Sequence, residues 1–485
     1  MAQRYLEVVI QHAGFVAKKV PLSYIFGNHI ITPVARRKLY GFDTVPVRVC
    51  QYKNINFTPN LIYMRMLLLA LICTLSCNAL MAQATPDTSQ IIVPGRSNGP
   101  DQRSKPYLIM ISADGFRWDL ADKFHAEHLL ALRAGGVAAE KMIPSYPSVT
   151  FPNHYSLATG LFPSHHGIVN NTFFDPGKGK GYRISDRTAV RDSSWYGGTP
   201  IWVLAEQQQM VSASLFWVGS EAAVAGVRPS YFFYFNDKLP IDTRLETVKN
   251  WLSLPEDRRP HLILFYLSQV DHAEHTYGPA SKEAEAAVHQ VDNIVWRMTM
   301  MVDSLHLPVN YVFVSDHGMA AIDTLQGGLS LPSSIDTSKF TISGSETLQH
   351  LFAHDKKDIP AQYAALKKEH APGWNIYLPD ETPAYWHYTS KDDRYGRMGD
   401  ILLAAQYPHM LYLKDHRLIP GEHGFDNHIS DMGATFYAWG PAFKKGWKIP
   451  PFENVNVYPL MAHILGLHVP ADIDGRFDVL KGGLR

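Results

Sequence analysis

Cysteine is almost absent. The chain holds three, Cys50, Cys73 and Cys77, and none after that. Downstream of Cys77 no disulfide braces the fold, and no thiolate serves as a nucleophile or metal ligand. Internal repeats and low-complexity blocks are also missing, which excludes solenoids and fibrous arrays. Overall charge imbalance is missing too, with 45 Lys+Arg against 45 Asp+Glu. The balance is not uniform, however. Residues 1–84 carry nine basic and two acidic side chains, so residues 85–485 are net acidic by seven charges. A mildly acidic body is poorly suited to gripping a nucleic-acid polymer by bulk charge. A small anionic ligand in a dedicated site is still compatible with it.

What is present begins at Met64. Residues 64–84 read MRMLLLALICTLSCNALMAQA: a short basic start, about ten apolar residues, and a small-x-small site at Ala82-Gln83-Ala84. This is the pattern of a secretory signal peptide, and its apolar run is too short to span a bilayer comfortably. No transmembrane helix is expected in the mature chain. Residues 1–63 hold eight Lys+Arg and two Asp+Glu and show no sustained period. They are expected to be a non-native upstream extension, with translation from Met64 or Met66; the alternative is a cytosolic extension ahead of a membrane anchor. Leu75-Ser76-Cys77 loosely resembles a lipid-attachment site, which makes Cys77 a possible lipid anchor, although Thr74 fits poorly at its first position.

Residues 85–105 are polar and rich in Pro and Gly, and are expected to be a flexible leader. Residues 106–485 form the main domain. Three β-rich apolar runs there share one plan: Leu108 to Ala113 leads to Asp114, His261 to Val270 to Asp271, and Tyr311 to Ser315 to Asp316. Uninterrupted apolar strands suit a parallel sheet covered on both faces. Helical stretches lie between them, at Leu120 to Ala134 and Ser281 to Leu305. In the second, Ala284, Ala287, Val291, Ile294 and Met298 share a face. The alternation predicts an α/β fold, in which ligands sit beyond the carboxyl ends of the strands and the three aspartates face one crevice. Residues 320–415 change character, mixing Gly, Ser, Pro and charge, and are expected to be an inserted cap subdomain.

Aspartate and histidine recur with ligand-like spacing. Asp271 and His275 are four apart, on one side of a helical turn. Asp316 and His317 follow a strand directly, and His423 lies between glycines in Gly421-Glu422-His423-Gly424. Each alone is weak, but three Asp and three His converging on one sheet edge suit two zinc ions. A hydroxyl beside such metals becomes a nucleophile at neutral pH. The stretch Pro144 to His154 offers Ser145, Ser148 and Thr150, and spacing does not choose among them.

The strings SYPSVTFPNHYSLATGLFPSHHGIVNN, ADGFRWD, DHAEHTYGP, SDHGM and GEHGFDN, in this order, closely resemble the nucleotide pyrophosphatase/phosphodiesterase family of the alkaline phosphatase superfamily. The similarity runs from about Pro106 to Leu480. It implies an alkaline phosphatase-like fold and zinc-dependent hydrolysis of phosphodiester or pyrophosphate bonds, in nucleotides, through a covalent phospho-threonine. By this resemblance Thr150 is the nucleophile and a metal ligand. Asp271, His275 and His423 hold one zinc, and Asp114, Asp316 and His317 the other. Asn171 donates to a phosphoryl oxygen, with Asn170 as the alternative one residue away. Phe151, Phe235 and Trp217 match positions that hold a nucleobase, although relatives have tyrosine at Phe235 and proline at Val218. The signal-peptide pattern of residues 64–84 gives the expected place, outside the cytoplasm, in the periplasm or on the outer surface of a bacterium.

Alternatives on the same scaffold are a phosphate monoesterase or a lipid-directed phosphodiesterase; the non-enzyme alternative is an inactive secreted binding protein. Absence of Lys and Arg around Thr150 and Asn171 favours a diester. The nearest downstream bases, Lys178, Lys180 and Arg183, lie in a glycine-rich stretch expected to be a solvated loop.

Overall fold

Runs of branched and aromatic residues without polar interruption become the central strands. The computed structural model describes residues 88–325, 327–412 and 418–485, together with Tyr5–Leu6 and Val20–Pro21, two strand pieces that pair with each other. Residues 64–84, on which the signal-peptide and Cys77 expectations rest, lie outside the described residues.

Nine strands form the main sheet. In chain order they are β1 (Ile91–Ile92), β2 (Tyr107–Ala113), β3 (Val137–Ala139), β4 (Ser212–Leu215), β5 (Tyr231–Phe233), β6 (Leu262–Leu267), β7 (Val309–Val314), β8 (Phe436–Trp439) and β9 (Trp447–Ile449). Their spatial order is β9-β3-β8-β7-β2-β6-β4-β5-β1. The five strands from β7 to β5 run parallel, and β1 and β8 flank them antiparallel. Every residue of β2, β6 and β7 is buried. Alternate side chains feed two separate cores: Leu108, Met110, Leu262 and Val312 on one face, Ile109, Ile111, Ile263 and Phe313 on the other. Burial on both faces is why these strands read as continuous apolar runs. The result is the expected α/β architecture.

Four helices bear on the site or its frame: α1 (Thr150–Thr159), α2 (Arg187–Arg191), α3 (Gln269–Tyr277) and α4 (Lys282–Asp303). Helix α4 follows its expected span closely, because the Ser281 hydroxyl accepts from the Ala284 N–H as an N-cap and the predicted apolar face is buried. Among the described residues, no helix is long and apolar enough to cross a membrane.

Several local expectations need correction. Leu120 to Ala134 is two helices, Leu120–Lys123 and Glu127–Ala134, broken near His125, whose φ of 52° no helix accommodates. The stretch expected to be a loose leader is tied down over its described part. Strand β1 pairs with β5, and the Asn98 amide donates to the carbonyls of Glu256 (2.8 Å) and Arg259 (2.7 Å). Composition could not reveal those remote partners. The glycine-rich stretch is a hairpin, Lys180–Arg183 pairing with Thr172–Asp175, because its glycines form the turn while Tyr182 is buried.

Within 320–415, the strands Phe340–Gly344, Leu348–Ala353, Ile401–Ala405 and Trp374–Tyr377 make a second, antiparallel sheet. It has its own core of Leu351, Leu366, Trp374, Ile376 and Leu403. Buried Arg397 ties this region to the main domain. Its Nε is 2.9 Å from Asp175 Oδ2, and its Nη1 donates to the carbonyls of Gly167 and Trp195.

Candidate active site

Strands β6, β2 and β7 are parallel neighbours, so the segments beyond their carboxyl ends are brought together. Asp114 comes directly after β2, and Asp316 lies two residues beyond β7. Asp271 differs from expectation, because β6 ends at Leu267 and Asp271 lies in the first turn of α3. Gly115 lets these loops meet. Its φ is 71°, and a Cβ there would lie 2.9 Å from the Asp271 Cα. The Asp271 N–H donates to the Asp114 carbonyl at 3.1 Å, and the Gly115 N–H to Asp316 Oδ1 at 3.2 Å.

The three histidines share one device. Nδ1 of His317 donates to the Gly318 carbonyl (2.9 Å), that of His275 to Gly421 (2.9 Å), and that of His423 to Ser148 (2.9 Å). A carbonyl only accepts, so each Nδ1 carries a proton and each Nε2 is turned toward the site. His317 Nε2 is 2.9 Å from Asp316 Oδ2 and 3.6 Å from Asp114 Oδ1. His275 Nε2 and His423 Nε2 lie 3.3 and 3.7 Å from Asp271 Oδ1. Donor atoms of Asp114, Asp316 and His317 all fall within 4.8 Å of one another. So do those of Asp271, His317 and His423, and those of His275, Glu422 and His423.

This donor set fits cations. Asp114 Oδ1, Asp271 Oδ1 and Asp316 Oδ2 are buried without a hydrogen-bond partner, a costly arrangement unless positive charge answers it. The electrostatics agree. Burial, then the charges of Asp316 and Asp271, push the Asp114 carboxyl well above its ordinary range. Burial acts the same way on Asp316, but His317 and His154 overcome it and hold that group well below. Three such carboxylates ionise together only beside a cation.

Of the three candidate hydroxyls, two are spent elsewhere. Ser145 donates to Asn454 Oδ1 (2.7 Å) and Ser148 to the Phe425 carbonyl (3.1 Å), both buried. Thr150 opens α1, and its Oγ1 is 3.3 Å from His317 Nε2. The two asparagines also separate. The Asn170 side chain is fully buried, and its amide donates toward Ser345, Leu348 and His350. Asn171 Oδ1 accepts the Phe151 N–H at 2.9 Å, and among the described residues its amide NH2 makes no hydrogen bond.

A cavity of about 230 Å³ adjoins this cluster. Its wall includes Asp114, Thr150, Phe151, Asp271, Phe235 and Arg187. Phe151 and Phe235 thus face one space. Trp217 borders it too, but it is 1% exposed and its Nε1 donates to the His154 carbonyl (3.1 Å), so most of it is core.

Several residues escaped the sequence reading. Tyr266 donates to Asp114 Oδ2 at 2.6 Å but is hidden inside an apolar strand. His154 Nδ1 lies 3.0 Å from the Thr150 carbonyl and 3.3 Å from Asp316 Oδ2; its position four after Thr150 on α1 was the available signal. Glu422 joins the His275–His423 group, next to a residue already singled out. Arg187, from α2, is the basic side chain that reaches the cavity wall.

Known proteins resemble this chain in sequence and in fold. An uncharacterised pyrophosphatase/phosphodiesterase of Schizosaccharomyces pombe is 34% identical over 391 residues, 78% of this chain and 80% of that protein. Mouse ectonucleotide pyrophosphatase/phosphodiesterase family member 1 is 32% identical over 395 residues, 78% of this chain but only 42% of the mouse protein. A solved structure of murine member 5, an inactive variant in complex with AMP, superposes with a TM-score of 0.73 at 26% identity, covering 79% of this chain and all of that one. The family profile described as type I phosphodiesterase / nucleotide pyrophosphatase matches residues 108–426. With its α/β sheet, its Asp/His cluster and two thirds of its length matching that profile, the chain belongs to the type I phosphodiesterase/nucleotide pyrophosphatase family.

Proposed function

We propose that this phosphoric-ester hydrolase cleaves phosphodiester or pyrophosphate bonds in nucleotides through a covalent phospho-threonine at Thr150. The observation that carries the reading is the common aim of the site: the Nε2 atoms of three histidines and three orphaned carboxylate oxygens gather in one cluster, and Thr150 Oγ1 lies 3.3 Å from one of those nitrogens, that of His317. Asp271, His275 and His423 would hold one zinc, and Asp114, Asp316, His317 and Thr150 the other. Bound there, the two ions would lower the pKa of the threonine hydroxyl and neutralise charge developing on the phosphoryl and leaving oxygens.

Thr150 Oγ attacks phosphorus in line, and the bond to the leaving oxygen breaks as the Oγ–P bond forms. Water then cleaves that Oγ–P bond and restores the hydroxyl. The position of Thr150 at the start of α1 puts the positive end of the helix dipole beside the phosphoryl group. The Asn171 amide, oriented by the Phe151 N–H, donates to a phosphoryl oxygen. Phe151 and Phe235 offer apolar faces for a nucleobase. AMP in the solved murine relative supports this substrate class. Export belongs to the same reading, on the strength of residues 64–84.

The deciding comparison is kcat/KM for the nitrophenyl ester of thymidine monophosphate against nitrophenyl phosphate, at one pH and zinc level. The diester is expected to win by about a hundredfold, ~2.7 kcal/mol of transition-state stabilisation. Equal rates or a monoester preference would move the protein to the phosphatase reading.

A further inference from the structure

The cavity beside Thr150 is largely apolar, lined by Phe151, Ile184, Val190, Phe216, Val218 and Phe235, yet one guanidinium reaches its wall. That group belongs to Arg187, at the first position of α2. Its centre lies 5.1 Å from the Phe235 ring centroid, a cation–π contact that holds the flat guanidinium over the ring. Its carboxylate neighbour is Glu221, whose Oε1 is 3.8 Å away, beyond hydrogen-bond length.

Glu221 is already committed. It is 4% exposed, its Oε1 accepts the Phe235 N–H at 2.8 Å, and its Oε2 accepts from Arg191 Nε at 2.9 Å. Arg191 is spent as well, its guanidinium 3.6 Å from the Tyr234 ring centroid. One buried carboxylate therefore fixes the Phe235 backbone and one arginine. It lends the second arginine its charge without taking up its N–H donors. Among the described residues, the Arg187 guanidinium makes no hydrogen bond.

We infer that Arg187 is a specificity-determining residue that selects nucleotides by the acceptor edge of the base, favouring guanine over adenine. The inference rests on the nucleotide reading above and deepens it. A base lying against Phe151 or Phe235 brings its edge to the guanidinium lodged over Phe235. Guanine presents two adjacent acceptors, O6 and N7, which match the arginine fork. Adenine replaces O6 with an amino donor that faces another donor. The Arg187 side chain is 48% exposed, so the discrimination comes from the matched fork on guanine rather than from donors stranded out of water. Glu221 is the positioning residue, acting through Phe235 and the two arginines.

The test compares kcat/KM for the nitrophenyl esters of guanosine and adenosine 5′-monophosphate in the metal-loaded enzyme and in Arg187→Met, which keeps the aliphatic stem. Competitive inhibition by GMP and AMP gives a second readout on the wild-type enzyme alone. The guanosine ester is expected to be favoured by at least about tenfold, with GMP the tighter inhibitor, and the ratio should fall to near one in Arg187→Met. A wild-type ratio within about twofold of one would overturn the inference. So would an unchanged ratio in the variant, or an equal loss for both esters, which would assign the guanidinium to the phosphate. If neither nucleoside ester outperforms bis(nitrophenyl) phosphate, the nucleotide reading itself fails, and the inference with it.

Discussion

The imidazole of His317 lies stacked on that of His423, with ring centroids 3.7 Å apart and planes 17° from parallel. The two residues flank the second sheet in the chain, His317 just after β7 and His423 beyond the last strand of that sheet. Each is locked by an Nδ1 donation to a backbone carbonyl, Gly318 and Ser148 respectively. The stack therefore joins the Asp114–Asp316 side of the site to the Asp271–His275 side. It also ties the segment that carries Thr150 to the Asp/His cluster, because Ser148, whose carbonyl His423 holds, is two residues before Thr150.

Replacing the nucleophile should separate chemistry from metal binding. In Thr150→Ala, kcat is expected to fall by at least about a thousandfold, while metal content on the same sample stays near that of wild type. The six other side chains proposed as ligands remain in place. Activity within tenfold of wild type would remove Thr150 from the nucleophile's role.

Chelation should destabilise as well as inactivate. Without cations the clustered carboxylates of Asp114, Asp271 and Asp316 repel one another, so zinc should raise the Tm in a concentration-dependent way. Elemental analysis after mild dialysis is expected to give about two zinc ions per chain, and fewer in Asp316→Ala or His423→Ala. A count of one with full activity would sink the two-metal reading.

The neighbouring asparagines should behave differently. Asn171→Ala is expected to lower kcat by about ten- to a thousandfold, since the proposed role of its amide is to donate to a phosphoryl oxygen, with little change in stability. Asn170→Ala removes a fully buried amide and should cost about 1–3 kcal/mol in urea unfolding. The opposite pattern would exchange their roles.

Acid should weaken the fold through His166. It is fully buried; the Ile168 N–H donates to its Nδ1 (3.2 Å), and its Nε2 lies 3.0 Å from Ser156 Oγ, which leaves no room for a second proton. Burial lowers its pKa from 6.5 to about 3. Between those values the unfolded chain binds a proton that the native state refuses, so this contribution is full above pH 6.5 and is lost as pH falls. Relative to His166→Gln, the wild type should lose about 1.4 kcal/mol between pH 7.5 and 5.5. A constant difference in urea unfolding across that range would disprove it.

The α/β class, the buried parallel strands and the Asp/His set were legible in the chain itself. Periodicity and spacing are local properties, and β2, β6 and β7 are apolar at nearly every position because both faces of the sheet are covered. Helix α4 was legible from the period of its apolar face, while the Ser281 cap emerged only in the structure.

Other features belong to the tertiary structure. Which hydroxyl faces the ligands was decided by where Ser145 and Ser148 found acceptors, at Asn454 and Phe425, 309 and 277 residues further along the chain. Which asparagine is free was decided by the inserted sheet, which takes up the Asn170 amide. Arg187 lies outside the windows around Thr150 and Asn171, and only the folded hairpin and α2 carry it to the cavity wall. Sequence determines what each residue can do; its partners, and hence what it is left free to do, depend on contacts that no local pattern encodes.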